Sequence, residues 1–296
     1  MGGGAWTSAA LDDYTYSTRG VSSTTYASNS TVRVQDAFKA YGIHRDLNPR
    51  YFSFRECLDT DEHPNTTPVI LALDVTGSMG SAAVEVSKKL GYIMTELYTA
   101  NTKPDIEFCI MGIGDLDCDD APVQMSQFES DIRIAEHLDK VYFEGHGGGN
   151  FSESYTAAWY MGLYHCKLDC WKRGKKGIII TLGDELLNPY LGKDDIAKHI
   201  GDKVQDDIDT ADLYKQAIER FDIHHISVDD PGTCYARYNS CGNCRMVDNS
   251  WKLLGENYHV STIDGLHKLI AQIINGPDIY TPTVSTVTAS PNEISW

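Results

Sequence analysis

Basic residues are scarce in this chain, and long apolar runs are missing. Its 296 residues hold 25 Lys and Arg against 42 Asp and Glu, a net charge of −17. Nucleic-acid binding takes its affinity from Lys and Arg that neutralise phosphates, so this balance argues against a nucleic-acid partner. The one basic run, Lys172-Arg173-Gly174-Lys175-Lys176, reads as a solvated loop leading into a strand. No stretch approaches the roughly 20 apolar residues that cross a bilayer, and the N-terminus lacks a charged-then-apolar signal pattern. Trp6 stands where a myristoylation motif wants Ser or Thr. The expectation is a soluble protein with no membrane partner, cytoplasmic or part of a particle assembled inside a cell.

Signatures of catalysis are also few. Asp74-Val75-Thr76 lacks the second Asp of an aspartyl-phosphate motif, and Gly77-Ser78-Met79-Gly80 lacks the spacing of a nucleophile elbow. No phosphate-binding Gly-x-x-x-x-Gly-Lys-Ser/Thr loop is present. His146, His224 and His225 are open to a catalytic reading, but a satisfied core or loop histidine is the simpler one. The expectation is a protein that is not an enzyme, with a metal-dependent hydrolase using Glu153 as general base as the alternative.

What the chain does have is apolar content, 42% hydrophobic and 10% aromatic, enough to bury a full core. Val69, Ile70, Leu71, Ala72 and Leu73 form a continuous apolar run of the kind that suits a parallel strand covered on both faces. Gly77 and Gly80 permit the turn that follows. Ala83, Val86, Leu90, Ile93 and Leu97 then recur at helical spacing. Residues 74–80 are thus a strand-to-helix loop at the carboxyl edge of a sheet, where open α/β folds place ligands. Asp74, Thr76 and Ser78 alternate within it, and a carboxylate with two hydroxyls suits a hard divalent cation, magnesium, manganese or calcium. The competing reading is an ordinary turn in which Thr76 and Ser78 cap the helix.

The periodicity places further strands at 106–113, 123–128, 178–181, 223–228 and 259–262, and helices at 81–100, 131–140, 152–166, 210–221 and 264–274. Strands alternating with helices imply a mostly parallel sheet covered on both sides, a Rossmann-like α/β three-layer sandwich. Residues 1–32, rich in Gly, Ser, Thr and Tyr, read as an extended arm. A short helix is expected within 34–41, inside an N-terminal extension of residues 1–66. Residues 276–296 form a Thr/Ser/Pro-rich tail.

Asp74-Val75-Thr76-Gly77-Ser78-Met79 resembles the metal-ion-dependent adhesion site of von Willebrand factor A domains, whose first motif is Asp-x-Ser/Thr-x-Ser. The likeness covers roughly residues 67–275. Gly145 to Ser154, with Asn150, Ser152 and Glu153, stands where such domains have a Gly-rich loop carrying a metal ligand, and Ile178 to Glu185 stands where they place a last Asp. The pattern departs from the family at Asn150, in place of a Thr, and at Leu182, which puts Asp184 two residues beyond the expected position. The resemblance implies a metal site of Asp74, Thr76, Ser78, Asn150, Glu153 and Asp184, more anionic than the adhesion type. It also implies a cation that bridges to a carboxylate from a protein partner. For Asn150, Ser152 and Glu153, helix capping is a rival reading, and for Asp184 a solvated loop acid.

Eight cysteines are spread along the chain. Cys234, Cys241 and Cys244, within an insertion at 231–247, include one Cys-x-x-Cys, which is half of a zinc site. Cys166, Cys170 or His165 could supply a fourth ligand, and a disulfide or free thiols are the alternatives. Two functions compete: a metal-dependent interaction module within a self-associating or larger assembly, and a scaffold subunit whose arms make the contacts over a vestigial metal site.

Overall fold

The computed structural model describes residues 4–100, 102–145, 152–239 and 245–276. At its centre is a six-stranded sheet: β1 (Thr67–Asp74), β2 (Ile106–Ile113), β3 (Val123–Met125), β4 (Gly177–Gly183), β5 (Phe221–Val228) and β6 (Tyr258–Ser261). The spatial order is β3-β2-β1-β4-β5-β6, parallel except for the antiparallel edge strand β3. The order reverses between β1 and β4, which makes their carboxyl ends the crevice where doubly wound folds bind ligands. The sheet is mostly parallel and flanked by helices, as the alternating pattern of the sequence requires.

β1 shows why an apolar run becomes a central strand. Val69, Leu71 and Leu73 point into one hydrophobic cluster, while Ile70 and Ala72 point into the other. Period-2 alternation thus buries every residue when both faces are covered. The first face is closed by α3 (Gly80–Ala100), α4 (Arg133–Lys140) and α7 (Leu266–Asn275), the second by α5 (Thr156–Tyr164) and α6 (Thr210–Ala217). β1 pairs along its length with β2, Thr67 opposite Ile106 through Asp74 opposite Ile113, which fixes Asp74 as the last residue of the ladder.

Two expected helices are shorter than their periodicity. The helix read at 152–166 begins only at Thr156, because Ser152 and Glu153 pair in parallel with Leu186 and Leu187. The helix read at 210–221 ends at Ala217, and Phe221 opens β5 instead.

The N-terminal segment, expected to be an extended arm, is helical in α1 (Ser8–Arg19) and α2 (Ser23–Ser28). Its signal lies in the caps rather than in an aliphatic stripe. Thr7 accepts from Ala10 N at the start, and Gly20 closes the end with φ +73°, a conformation that glycine adopts without penalty. Trp6 and Phe38 are buried in the first core cluster and Leu11 and Tyr14 pack against it. Arg19 holds the segment down through a forked pair with Asp139 of α4 at 2.5 and 3.0 Å, and Tyr14 donates to the same carboxylate at 2.7 Å. The tail at 277–296 lies outside the described residues.

Removing one partner of a pair this buried leaves an uncompensated charge, at about 3 kcal/mol. Asp139→Ala should therefore accelerate amide exchange across Ser8–Arg19 by roughly a hundredfold, while β1 keeps its protection. Unchanged exchange in Ser8–Arg19 would show that Trp6 and Leu11 alone hold the segment.

Candidate metal centre

The chain leaves β1 at Asp74, whose side chain has no exposed surface. Burying a carboxylate is costly unless its oxygens are satisfied, and here three donors converge. Asp74 Oδ1 accepts from the backbone N–H of Thr76 at 2.8 Å and from the Thr76 hydroxyl. Asp74 Oδ2 accepts from the phenol of Tyr155 at 2.7 Å. After β4, Asp184 Oδ1 accepts from the Ser78 hydroxyl at 3.1 Å, and Asp184 Oδ2 from the N–H of Cys234 at 2.6 Å. Thr76 makes no side-chain capping bond to the helical turn that follows. The Ser78 hydroxyl therefore faces a carboxylate across the switch point and the Thr76 hydroxyl the carboxylate of its own loop, while Asp74 also accepts a backbone N–H as the ordinary-turn reading expects.

Tyr155 ties the loops together. Its oxygen donates to Asp74 and accepts from the N–H groups of Asp184 at 3.2 Å and Glu185 at 3.3 Å. A side chain at Gly183 would sit 2.1 Å from that oxygen, so glycine is required where β4 passes under the ring. The phenol is locked between the edge of His225 (5.1 Å between ring centroids) and Trp251 (5.3 Å). His225 in turn lies flat on Trp251 at 3.5 Å and shares a 2.8 Å hydrogen bond with Thr181. Burial lowers the pKa of His225 and keeps it neutral, and burial with the nearby carboxylates raises that of Tyr155, keeping it a donor. Tyr155 is not among the expected site residues; the periodicity places it inside the helix expected at 152–166.

The Gly-rich loop approaches from the other side. Gly145 N donates to Val75 O at 3.3 Å, and a Cβ on Gly77 would meet Gly145 O at 2.9 Å. Asn150 lies outside the described residues. Glu153 is 4% exposed, and its Oε2 has no hydrogen-bond partner. Burial raises the pKa of Asp74, Glu153 and Asp184; Asp184 adds to the shift of Asp74, and Asp74 to that of Glu153. The strongest charges acting on Asp74 and Glu153 are thus other carboxylates. Asp119, on the loop after β2, adds to the field and is itself pushed up to about 6, by burial first and then by Glu144 and Asp115.

These donors fit a hard cation by chemistry: carboxylates and hydroxyls gather in one buried crevice, and one carboxylate oxygen has no partner. Among the described residues no three of His, Cys, Asp and Glu already stand as a ligand set, so a cation here would rest on carboxylates and hydroxyls together.

The cysteine cluster is not brought together among the described residues. Cys241 and Cys244 lie outside them. Cys234 sits at the start of the short helix Cys234–Asn239, beside Asp184, Glu185 and Arg237. The expected fourth ligands are elsewhere: Cys166 and Cys170 are buried in the second core cluster, and His165 bonds Asp202 at 2.7 Å.

The sheet order, and the three loops converging on the β1–β4 switch point, give the chain a von Willebrand factor A-like architecture. No family model and no curated protein matches the sequence. Among solved structures, the chain is similar to the open conformation of the pilus adhesin SpaC from Lactobacillus rhamnosus GG, at 13% identity over 71% of this chain and 30% of that one, TM-score 0.48. It is also similar to the vWF domain of the type V pili tip protein Mfa5 from Porphyromonas gingivalis, at 13% identity over 71% and 95%, TM-score 0.42. A third is proximal thread matrix protein 1 from the mussel byssus with a zinc-occupied MIDAS motif, at 13% identity over 71% and 45%, TM-score 0.41. The chain spans about 30% of the length of SpaC.

Two measurements follow. Tyr155→Phe removes one donor and orphans two N–H groups, so Mn2+ affinity should drop by roughly tenfold or more while the far-UV spectrum is kept; unchanged affinity would remove Tyr155 from the site. Because the native carboxyls hold protons that the unfolded chain releases above about pH 4, metal-free stability carries a penalty that grows as pH rises, and a divalent cation should relieve it. The gain in Tm from saturating Mg2+ should therefore widen from pH 5 to pH 8, and a pH-independent gain would contradict this account.

Proposed function

We propose that the chain is a protein-interaction module whose binding face is completed by a divalent cation. Asp74, Thr76, Ser78 and Asp184 would hold it, with Glu153 beside them and Asn150 as a further oxygen donor. The supporting observation is that two loop hydroxyls turn away from the helix start they could cap and toward buried carboxylates: the charge acting on Asp74 is another carboxylate, and Arg237 does not offset the burial of Asp184. A fixed ion pair would have used Lys or Arg; a site made only of oxygens is suited to a removable positive charge. When bound, the cation would supply a Lewis-acidic position that an Asp or Glu of a partner protein can fill. This chain's residues do the positioning: Tyr155 holds Asp74 and the β4 loop in register, and Gly77 lets the Gly-rich loop close against it.

The magnesium-type identity of the cation, partner binding and self-association are part of this proposal. So is the reading of the site as binding rather than catalytic. The scaffold alternative draws less support, because the N-terminal segment spends Trp6, Leu11, Tyr14 and Phe38 on this chain's own α3 face.

Mg2+ at a hundredfold over its Kd should stabilise the wild-type chain by about 2.7 kcal/mol, which is roughly 5–10 °C in Tm for a domain of this size. Asp74→Ala should abolish that shift together with any Mg2+-dependent rise in sedimentation mass or partner capture. A shift that survives the substitution would move the cation elsewhere. Assembly that ignores both EDTA and Asp74→Ala would favour the scaffold.

A further inference from the structure

Within this acidic chain lies one pocket of opposite character, at the β3 edge of the sheet and away from the metal crevice. It encloses about 330 Å³ between the turns Arg45–Leu47 and Pro49–Tyr51, the end of β3 and helix α4, and Arg45, Arg55, Gln127 and His137 line it.

Arg55 is the central observation. Its Nη2 donates to two backbone carbonyls, Asp46 O and, at 2.7 Å, Met125 O. Its Nε is buried without a partner, and no carboxylate pairs with it among the described residues. Arg19 of the same chain is buried to a similar degree, yet its bond to Asp139 outweighs the burial and raises its pKa, whereas burial lowers that of Arg55. Half-buried guanidinium groups without an acid are costly, and this one is propped in place by the Phe52 ring 3.5 Å below its carbon. Arg45 stacks over Tyr51 at 5.4 Å and likewise has no carboxylate partner among the described residues. On the α4 wall, His137 Nδ1 is buried and unpartnered; burial, then Lys140, Arg55 and Arg133, lower its pKa to about 4. Asp46 is the acid on the rim, but Lys140 holds it at 3.3 Å and His44 lies 3.6 Å away.

We infer that this pocket binds a phosphoryl oxyanion, free or esterified, between the forks of Arg45 and Arg55. Two guanidinium groups converging with amide and imidazole donors suit an anion with three free oxygens better than a carboxylate with two. The cavity admits a phosphate with room for a small ester.

The test is calorimetric titration of the full chain at pH 7 in EDTA with inorganic phosphate, O-phosphoserine and acetate. Saturable binding of phosphate or phosphoserine is expected, with acetate at least tenfold weaker, and whichever phosphoryl compound binds more tightly tells the free from the esterified form. Arg45→Gln, which breaks no side-chain hydrogen bond among the described residues, should weaken phosphoryl binding by roughly tenfold. Arg55→Lys should do the same by losing the fork while keeping the charge. No saturable binding of either phosphoryl compound, acetate binding as tightly as phosphate, or an Arg45→Gln titration that overlays the wild type would each overturn the assignment.

Discussion

A carboxylate with no exposed surface, set at the last residue of a central strand, governs most of what surrounds it. Asp74 cannot stay there without donors, because an unsatisfied buried charge costs more than a domain of this kind can spare. The Thr76 hydroxyl and N–H satisfy one oxygen, and the Tyr155 phenol satisfies the other. From that requirement follow the glycine at 183, the stack of His225 on Trp251 that holds the phenol, and the approach of Gly145 to Gly77. None of these residues need touch an ion to matter. Together they keep two loops, 106 residues apart at Ser78 and Asp184, within hydrogen-bond distance.

Where the information was local, the sequence was readable. β1, β2 and α3 were expected almost to the residue, since period-2 burial and 3.6-residue spacing are properties of consecutive positions. The placement of Asp74, Thr76, Ser78 and Asp184 at one crevice followed from strand ends and from a family resemblance, and the geometry joins all four. Tyr155 was not readable, because its meaning lies in contacts 29 and 81 residues away. The first two helices were missed for a different reason. Their stability comes from caps and from packing on α3, and apart from Asp12 and Asp13 their exposed positions carry Ser, Thr, Ala and Tyr rather than an alternating charge pattern. Of the candidate fourth ligands for the cysteines of the insertion, Cys166 and Cys170 are core residues of another layer, while Cys241 and Cys244 lie outside the described residues.

Charge is distributed with purpose across the molecule. The switch-point edge collects Asp74, Asp119, Glu153, Asp184 and Glu185, all with pKa values raised by burial. The β3 edge collects Arg45, Arg55 and His137 with little acid to balance them. Both arrangements work against stability in isolation. A chain free to place a lysine beside Asp74, or a glutamate beside Arg55, would be more stable without any ligand, and these are the two imbalances that the proposed cation and the proposed oxyanion would relieve.

Glu153 sets a limit on how the acidic edge can work. A partner's carboxylate must find a coordination position free, yet Glu153 belongs to the same chain and sits at high effective concentration. If it reached the cation it would compete with any external acid, and a partner would have to displace it, recovering only the difference between two similar bonds. If instead it stays beside the cation, its charge repels the incoming carboxylate and weakens the bridge. In either arrangement the protonated form of Glu153 would be the one that favours a partner, and burial, with Asp74, raises its pKa in that direction. On the proposed reading, the buried Glu153 would therefore act as a brake on partner contacts, held near Asp74 by its strand pairing with Leu187.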